Sequence, residues 1–126
     1  MAVKDQRALR GQRSFHAGNA AEDGVARHYQ NCGCSVVESR WRGSGGEIDL
    51  ILSDGVALVF VEVKHAANIA RAAGRISPRQ MQRIYATAEE YLGLQPRGAL
   101  TEARFDVALV DGQGVVHIIE NAFGEA

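Results

Sequence analysis

The sequence lacks any apolar run close to the roughly 20 residues that a membrane-spanning helix needs. Residues 1–13 are polar and contain no apolar segment of a secretory signal, so we expect a cytoplasmic protein without a membrane partner. Cysteine is scarce, and Cys32 and Cys34 are separated by a single residue. A disulfide between such close neighbours would be strained, and two thiols are too few for a zinc site. We therefore expect both cysteines to be reduced.

A strong excess of one charge is also missing, because the formal net charge is only −1. The total therefore does not indicate a nucleic-acid-binding protein, but the distribution of charge is uneven. Basic residues lie in the N-terminal segment and again between residues 65 and 88, a span without any acidic residue. This pattern is typical of a surface that binds a polyanion, although arginines on an ordinary solvated surface would produce it too. The candidates for nucleic-acid contacts are Arg42, Arg71, Arg75, Arg79 and Arg83.

Apolar periodicity and turn residues predict one α/β domain, residues 17–126, preceded by a basic, flexible arm, residues 1–16. Ser77 followed by Pro78 is a good helix start. The span 65–76 is predicted as a mobile loop or a short helix. We expect a mixed central β-sheet flanked by helices, in the order α-β-β-β-α-β-β. The predicted helices are 18–32 and 78–92, and the predicted strands are 35–41, 47–53, 56–64, 104–111 and 115–119.

Two strands that otherwise look buried carry four charged residues, namely Glu47, Asp49, Glu62 and Lys64. Asp54-Gly55 between them is a strong signal for a two-residue hairpin turn. Such a turn places Glu47 opposite Glu62, and it places Asp49 opposite Phe60. Because side chains alternate along a strand, all four charged side chains project from one face, unless a three-residue loop shifts the register by one. The other face is apolar and comprises Ile48, Leu50, Leu52, Val59, Val61 and Val63.

This concentration of acidic groups needs a counter-charge. Carboxylates that face each other on a sheet repel, and burial makes it costly for all of them to ionise. Lys64 alone cannot balance three acids, whereas a divalent cation such as Mg²⁺ can. The alternative is an exposed hairpin face with a Glu-Lys salt bridge. The long apolar runs around the charges are typical of central strands and favour the metal site.

Asp49 followed by Glu62-Val63-Lys64 resembles the D…(D/E)-x-K signature of restriction-endonuclease-like nucleases. A more specific resemblance, over residues 14–124, is to the bacterial YraN-type family, which is considered similar to Holliday-junction resolvases. The joined sequence patterns GEIDLI and FVEVK, in this order and spacing, are its most specific part. The matching segments are Arg42–Lys64, Ala21–Asp23, Ser77–Leu92, Arg104–Val107 and Asn121–Phe123.

The resemblance implies a restriction-endonuclease-like core and a role for each charged residue. Asp49 and Glu62 would coordinate Mg²⁺ or Mn²⁺, with the backbone carbonyl of Val63 as a further ligand. Lys64 would position or deprotonate the attacking water, or neutralise charge on the phosphate. Glu47 would lie on the same face as a catalytic neighbour of the ligands.

Glu22 has two interpretations, and the sequence differs from the family at residues 65–66 and at Arg79. Glu22 matches a place where related nucleases have an acidic residue near the metal, so it is either a metal ligand or a solvent-facing helix residue. The family usually continues after Lys64 with Thr-Arg, whereas His65-Ala66 follow here. Arg79 stands where the family often has lysine. These differences concern substrate contacts more than metal ligands.

The resemblance therefore predicts a metal-dependent endonuclease that hydrolyses phosphodiester bonds in DNA rather than RNA, including branched or junction DNA. Cutting two strands of a junction would suit a homodimer. The alternative is a catalytically inactive module that keeps the nuclease fold and binds nucleic acid or another partner. Salt-sensitive binding that does not depend on Asp49 would favour this alternative.

Overall fold

The computed structural model describes residues 13–122, with side chains from residue 19 onward. The mixed α/β class and the predicted order of elements are confirmed, and the span 65–76 contains one short helix. The predicted arm, residues 1–16, lies outside the described residues except at its end, because the first helix already begins at Arg13. The elements are α1 Arg13–Asn31, β1 Ser35–Arg42, β2 Glu47–Ser53, β3 Leu58–His65, α2 Ile69–Ala73, α3 Pro78–Leu92, a 3₁₀ helix Gly98–Leu100, β4 Ala103–Val110 and β5 Val116–Ile119.

The five strands form one mixed sheet in the order β1-β2-β3-β4-β5. Neighbouring strands are antiparallel except for β3 and β4, which are parallel. A parallel pair needs a long crossover connection, and the segment that contains α2 and α3 provides it. The two strands that carry the charged residues, β2 and β3, lie inside the sheet, as the long apolar runs around the charges predicted.

The helices cover the two faces of the sheet. Helix α1 packs on one face, where its buried residues Val25 and Tyr29 contact a cluster that includes Leu50, Leu52, Val59 and Val61. Helix α3 packs on the other face, where Ala88 and Tyr91 join Ile51 and Phe60. Ile48 belongs to this second cluster, so its predicted place on the face of Leu50 is wrong.

The turn between β2 and β3 is longer than predicted. The observed ladder pairs Leu50 with Val61 and Ser53 with Leu58, which leaves residues 54–57 as the turn. The side chain of Asp54 causes this difference, because its Oδ1 accepts hydrogen bonds of 2.8 Å from the backbone N–H groups of Val56 and Ala57. Gly55 supplies the left-handed backbone, with φ of 98°. The predicted two-residue turn, with Glu47 opposite Glu62 and Asp49 opposite Phe60, is therefore wrong by two positions.

The start of α3 agrees with the prediction. Ser77 Oγ accepts a hydrogen bond of 3.2 Å from the backbone N–H of Gln80, and Pro78 occupies the first helical position. This cap fixes where the first turn of α3 begins and hence where Gln80 lies. Cys32 and Cys34 are free thiols. Within residues 13–122, no helix has the length and apolar character needed to cross a bilayer.

Candidate active site

The ladder between β2 and β3 stops at the Leu50–Val61 pair, and the side chain of Asp49 lies beyond it. Asp49 Oδ2 accepts a hydrogen bond of 2.8 Å from the backbone N–H of Val63. The N–H and C=O groups of one strand residue point to the same side, so the Val63 carbonyl also faces β2 near Asp49. Two of the predicted site residues are thus held together by strands.

Glu62, Lys64 and Gln80 form a compact polar group next to Asp49. Glu62 Oε2 lies 3.2 Å from Lys64 Nζ and accepts a hydrogen bond of 3.0 Å from Gln80 Nε2. Lys64 Nζ donates to Gln80 Oε1 at 2.6 Å. The side chains of Lys64 and Glu62 are only 12% and 9% exposed, so little water screens their charges. Gln80 therefore holds the side chains of both Glu62 and Lys64 in place.

Asp49 and Glu62 line a cleft of about 300 Å³ between the sheet and α3. Its α3 wall is formed by residues spaced three and four apart, which lie on one side of the helix. The connection between β1 and β2 contributes a second part of the wall. The remaining lining residues are Gly45, Gly46, Glu47, Gln80, Arg83 and Ile84.

Burial raises the pKa of both central carboxyl groups, and the charge of a neighbouring acid adds to the rise in each case. Burial, followed by the charge of Glu62, raises the pKa of Asp49 to about 7, although the Val63 N–H opposes this rise. Burial also raises the pKa of Glu62, with Lys64 acting in the opposite direction. Near neutral pH, ionising both carboxyl groups therefore costs free energy, unless a cation binds beside them.

Glu47 and Arg42 lie at the edge of this cleft. Arg42 is close to Glu47 at 3.5 Å, and the two side chains are 78% and 35% exposed. Such an exposed ion pair contributes little to stability. It places Glu47 near Asp49, as predicted for a neighbour of the metal ligands, and leaves Arg42 largely in solvent.

Glu22, on α1, is not among the residues that line the cleft, but its side chain is only 18% exposed. Burial raises its pKa, and the negative charges of Asp49 and Glu47 raise it further. Arg40 opposes this effect, because its Nε donates to Glu22 Oε1 at 3.0 Å, and the Arg40 guanidinium also donates to Asn19. Glu22 is therefore electrostatically part of the acidic group, and the solvent-facing interpretation does not fit its burial.

Only one of the four predicted nucleic-acid-binding arginines between residues 71 and 83 lines the cleft. Arg83 does so, on the same side of α3 as Gln80. The other three are exposed outside the cleft lining, at Arg71, Arg75 and Arg79. The structure thus brings together Asp49, Glu62, Val63, Lys64, Glu47, Glu22 and Arg83 around one feature, with Arg42 at its edge.

Gln80 and Arg40 were missed by the sequence interpretation. Gln80 carried a helix-start signal three residues after Ser77, but no pattern indicated that its amide reaches Glu62 and Lys64. Arg40 has a left-handed backbone with φ of 52°, which is uncommon for arginine. Its only sequence signal was a charge inside a strand. Both contacts arise from packing of helices on the sheet.

Among the described side chains, no group of three or more Asp, Glu, His or Cys residues has the spacing of a ready-made metal site. Two carboxylates and one backbone carbonyl are nevertheless available beside the cleft, from Asp49, Glu62 and Val63. Such oxygen donors suit Mg²⁺ or Mn²⁺, and Mg²⁺ commonly keeps several waters and uses only one or two carboxylates. The donor set is unlike the nitrogen and sulfur ligands that zinc prefers.

Comparison with known proteins shows that the chain is similar to one protein family. A family model described as "Uncharacterised protein family UPF0102" matches residues 21–110, a range that contains all the charged residues of the cleft. A UPF0102 protein of Cereibacter sphaeroides (strain KD131) is 55% identical over 115 residues, which are 91% of this chain and 98% of the relative. A relative from Ruegeria pomeroyi is 54% identical over 117 residues, 93% of this chain and 95% of its own. One from Roseobacter denitrificans is 49% identical over 125 residues, 99% of this chain and 97% of its own.

Proposed function

The chain belongs to the UPF0102 family, as the YraN-type resemblance predicted, and we propose that its acidic cleft is the active site of a metal-dependent DNA nuclease. One observation carries the proposal: two mutually repelling, largely buried carboxyl groups, Asp49 and Glu62, line a cleft directly beside Lys64. Such repulsion costs folding free energy, and a cation bound between the two carboxylates would relieve it. The proposal rests on this geometry, since the names of the relatives state no activity.

Asp49, Glu62 and the carbonyl of Val63 would hold the cation. A bound Mg²⁺ or Mn²⁺ supplies two effects, orientation of a phosphate oxygen and a lower pKa of bound water. The raised pKa values of the two acids support this assignment, because a divalent charge removes the cause of the repulsion between them. Glu22 and Glu47 would add negative potential around the cation without direct contact.

Lys64 would act on the scissile phosphate. Its ammonium group is fixed by Glu62 and Gln80, so no reorganisation is needed when negative charge builds up on the phosphate oxygens. The charge is largely shielded from solvent, which strengthens its interaction with a neighbouring anion. Arg83, on the α3 wall, is positioned for an adjacent phosphate of the same strand.

The test is cleavage of single-stranded, duplex and branched DNA by purified protein in MgCl₂ or MnCl₂. We expect cleavage that requires the metal and falls at least about 100-fold in Asp49→Asn, as for loss of a group that stabilises the transition state. Glu102→Gln is the matched control, because it neutralises an exposed carboxylate far from the cleft lining. Equal cleavage by Asp49→Asn would refute the proposal. Metal-dependent stabilisation without any cleavage would instead favour the inactive binding module.

A further inference from the structure

We propose that the loop between β1 and β2, residues 43–46, restricts the cleft to an unpaired nucleic-acid strand, and that Glu90 holds the loop in this restricting position. The inference rests on the proposed nuclease function. It adds the class of substrate and a residue that determines specificity, at a place that none of the predicted site residues occupies.

Glu90, in the last turn of α3, binds the loop directly. The backbone N–H of Ser44 donates to Glu90 Oε1 at 3.0 Å, and the Ser44 hydroxyl donates to the same oxygen at 3.1 Å. The loop is closed on itself by a hydrogen bond of 2.8 Å from the Gly43 N–H to the Gly46 carbonyl. One carboxylate oxygen therefore fastens a compact loop to the helix that forms the opposite wall.

Two glycines allow the loop to approach α3 this closely. A Cβ atom at Gly43 would lie 2.6 Å from Glu90 Oε1, and one at Gly46 would lie 3.2 Å from Thr87 Oγ1. Thr87 cannot move away easily, since it is 1% exposed and its hydroxyl donates to the Arg83 carbonyl. The loop is thus packed against α3 at both of its ends. Gly45, by contrast, has open space around its Cβ position and lines the cleft.

This packing limits what can reach the acids. A cleft of about 300 Å³ is at the small end of pockets that hold single small molecules. Glu62 is 7% exposed, so a phosphate must enter the cleft to share a cation with it, at an Mg–O distance of about 2.1 Å. Duplex DNA is stiff, with a persistence length of about 50 nm, so its backbone does not bend easily into so narrow a recess. An unpaired strand is flexible and can carry a phosphate to the buried acids.

The first experiment compares rates on an unpaired strand and on a blunt duplex of the same sequence. We expect the wild-type protein to cleave the unpaired strand at least about tenfold faster, because a stiff duplex must be distorted before one of its phosphates reaches the buried acids. Glu90→Ala removes both hydrogen bonds to Ser44 and should reduce this ratio at least about threefold, by speeding duplex cleavage. Glu90→Gln keeps an acceptor oxygen in the same place and should preserve the ratio.

A second variant changes the width of the cleft without releasing the loop. Gly45→Leu adds a side chain where the structure has open space, so the melting temperature should stay within about 2 °C of wild type. The KM for the unpaired strand should rise at least about fivefold. An unchanged KM, or an unchanged ratio of rates in Glu90→Ala, would overturn the role of the loop.

The outcomes separate this inference from the proposed function. Equal cleavage of duplex and unpaired strand by the wild type overturns the inference and leaves the nuclease proposal intact. Absence of all cleavage overturns the nuclease proposal. The restriction by the loop is then tested by fluorescence anisotropy of labelled strands with the wild-type protein in MgCl₂. Tighter binding of the unpaired strand supports the inference, and equal or tighter binding of the duplex overturns it.

Discussion

Replacing Asp49 by asparagine is expected to stabilise the metal-free protein while abolishing its proposed activity. The pKa of Asp49 rises from an ordinary value of 3.8 to about 7 because the group is buried beside Glu62. At about 1.4 kcal/mol per pKa unit, this rise corresponds to about 4 kcal/mol of destabilisation when Asp49 is fully ionised. Water in the open cleft reduces the effect. We therefore expect Asp49→Asn to raise the free energy of unfolding by about 2–4 kcal/mol at pH 8.

The dependence on pH has a definite sign. A raised pKa in the folded state means that protonated Asp49 favours folding, and this contribution is complete below about pH 4. It is lost as the pH rises through about 7. Asparagine has nearly the shape of protonated aspartic acid, and its side-chain oxygen still accepts the hydrogen bond from Val63. The difference in stability between variant and wild type should therefore be smallest near pH 4 and largest at pH 8.

The assay is urea denaturation in EDTA at several pH values, with Glu102→Gln as the control. The exposed control should change the free energy of unfolding by less than about 0.5 kcal/mol at every pH. Adding MgCl₂ at 100 times its dissociation constant should stabilise the wild type by about 2.7 kcal/mol and leave Asp49→Asn nearly unchanged. If Asp49→Asn is no more stable than wild type at pH 8, or if the difference does not grow with pH, the electrostatic account of the cleft is wrong.

Two other variants test contacts on either face of the sheet. Gln80→Ala removes the amide that contacts both Lys64 and Glu62. Loss of the contact to Lys64, about the effect of one hydrogen bond, should lower kcat about tenfold and change KM less than about threefold. An unchanged kcat in steady-state kinetics would contradict this positioning role. Tyr29→Phe removes a hydrogen bond of 2.6 Å to Asp106, which is 0% exposed, and should lower the free energy of unfolding by about 1.5–3 kcal/mol. A loss below about 0.5 kcal/mol in urea denaturation would show that the other donors to Asp106, Arg104 Nε and the backbone N–H of Asn121, suffice.

The shared face of the acidic residues was predictable because side chains alternate with a period of two. The predicted pairing was wrong by two positions, but an even shift does not move the acidic side chains to the other face. The error came from Asp54, whose carboxylate accepts from two turn amides and lengthens the turn. A dipeptide signal for a turn contains no information about such a contact.

Gln80 was unpredictable as a site residue for a different reason. The helix signal placed it correctly in the first turn of α3, but its partners lie on β3, and only packing of the helix on the sheet brings them within reach. The misplaced Ile48 has a related cause. Strict alternation describes a strand while it is paired on both sides, and β2 pairs with β3 only from Leu50 onward, which leaves Ile48 outside this ladder.

The length of the β2–β3 turn determines which residues meet at the site. The turn and the cleft lie at opposite ends of one ladder, so the number of turn residues decides which position of β3 stands beside Asp49. Loss or gain of one turn residue would carry Glu62 to the α1 face and present an apolar side chain to the cleft. The length of this surface turn is therefore constrained, although the turn contacts neither acid. Among functional relatives, the number of turn residues should vary less than the identity of those residues, except for Asp54 and Gly55.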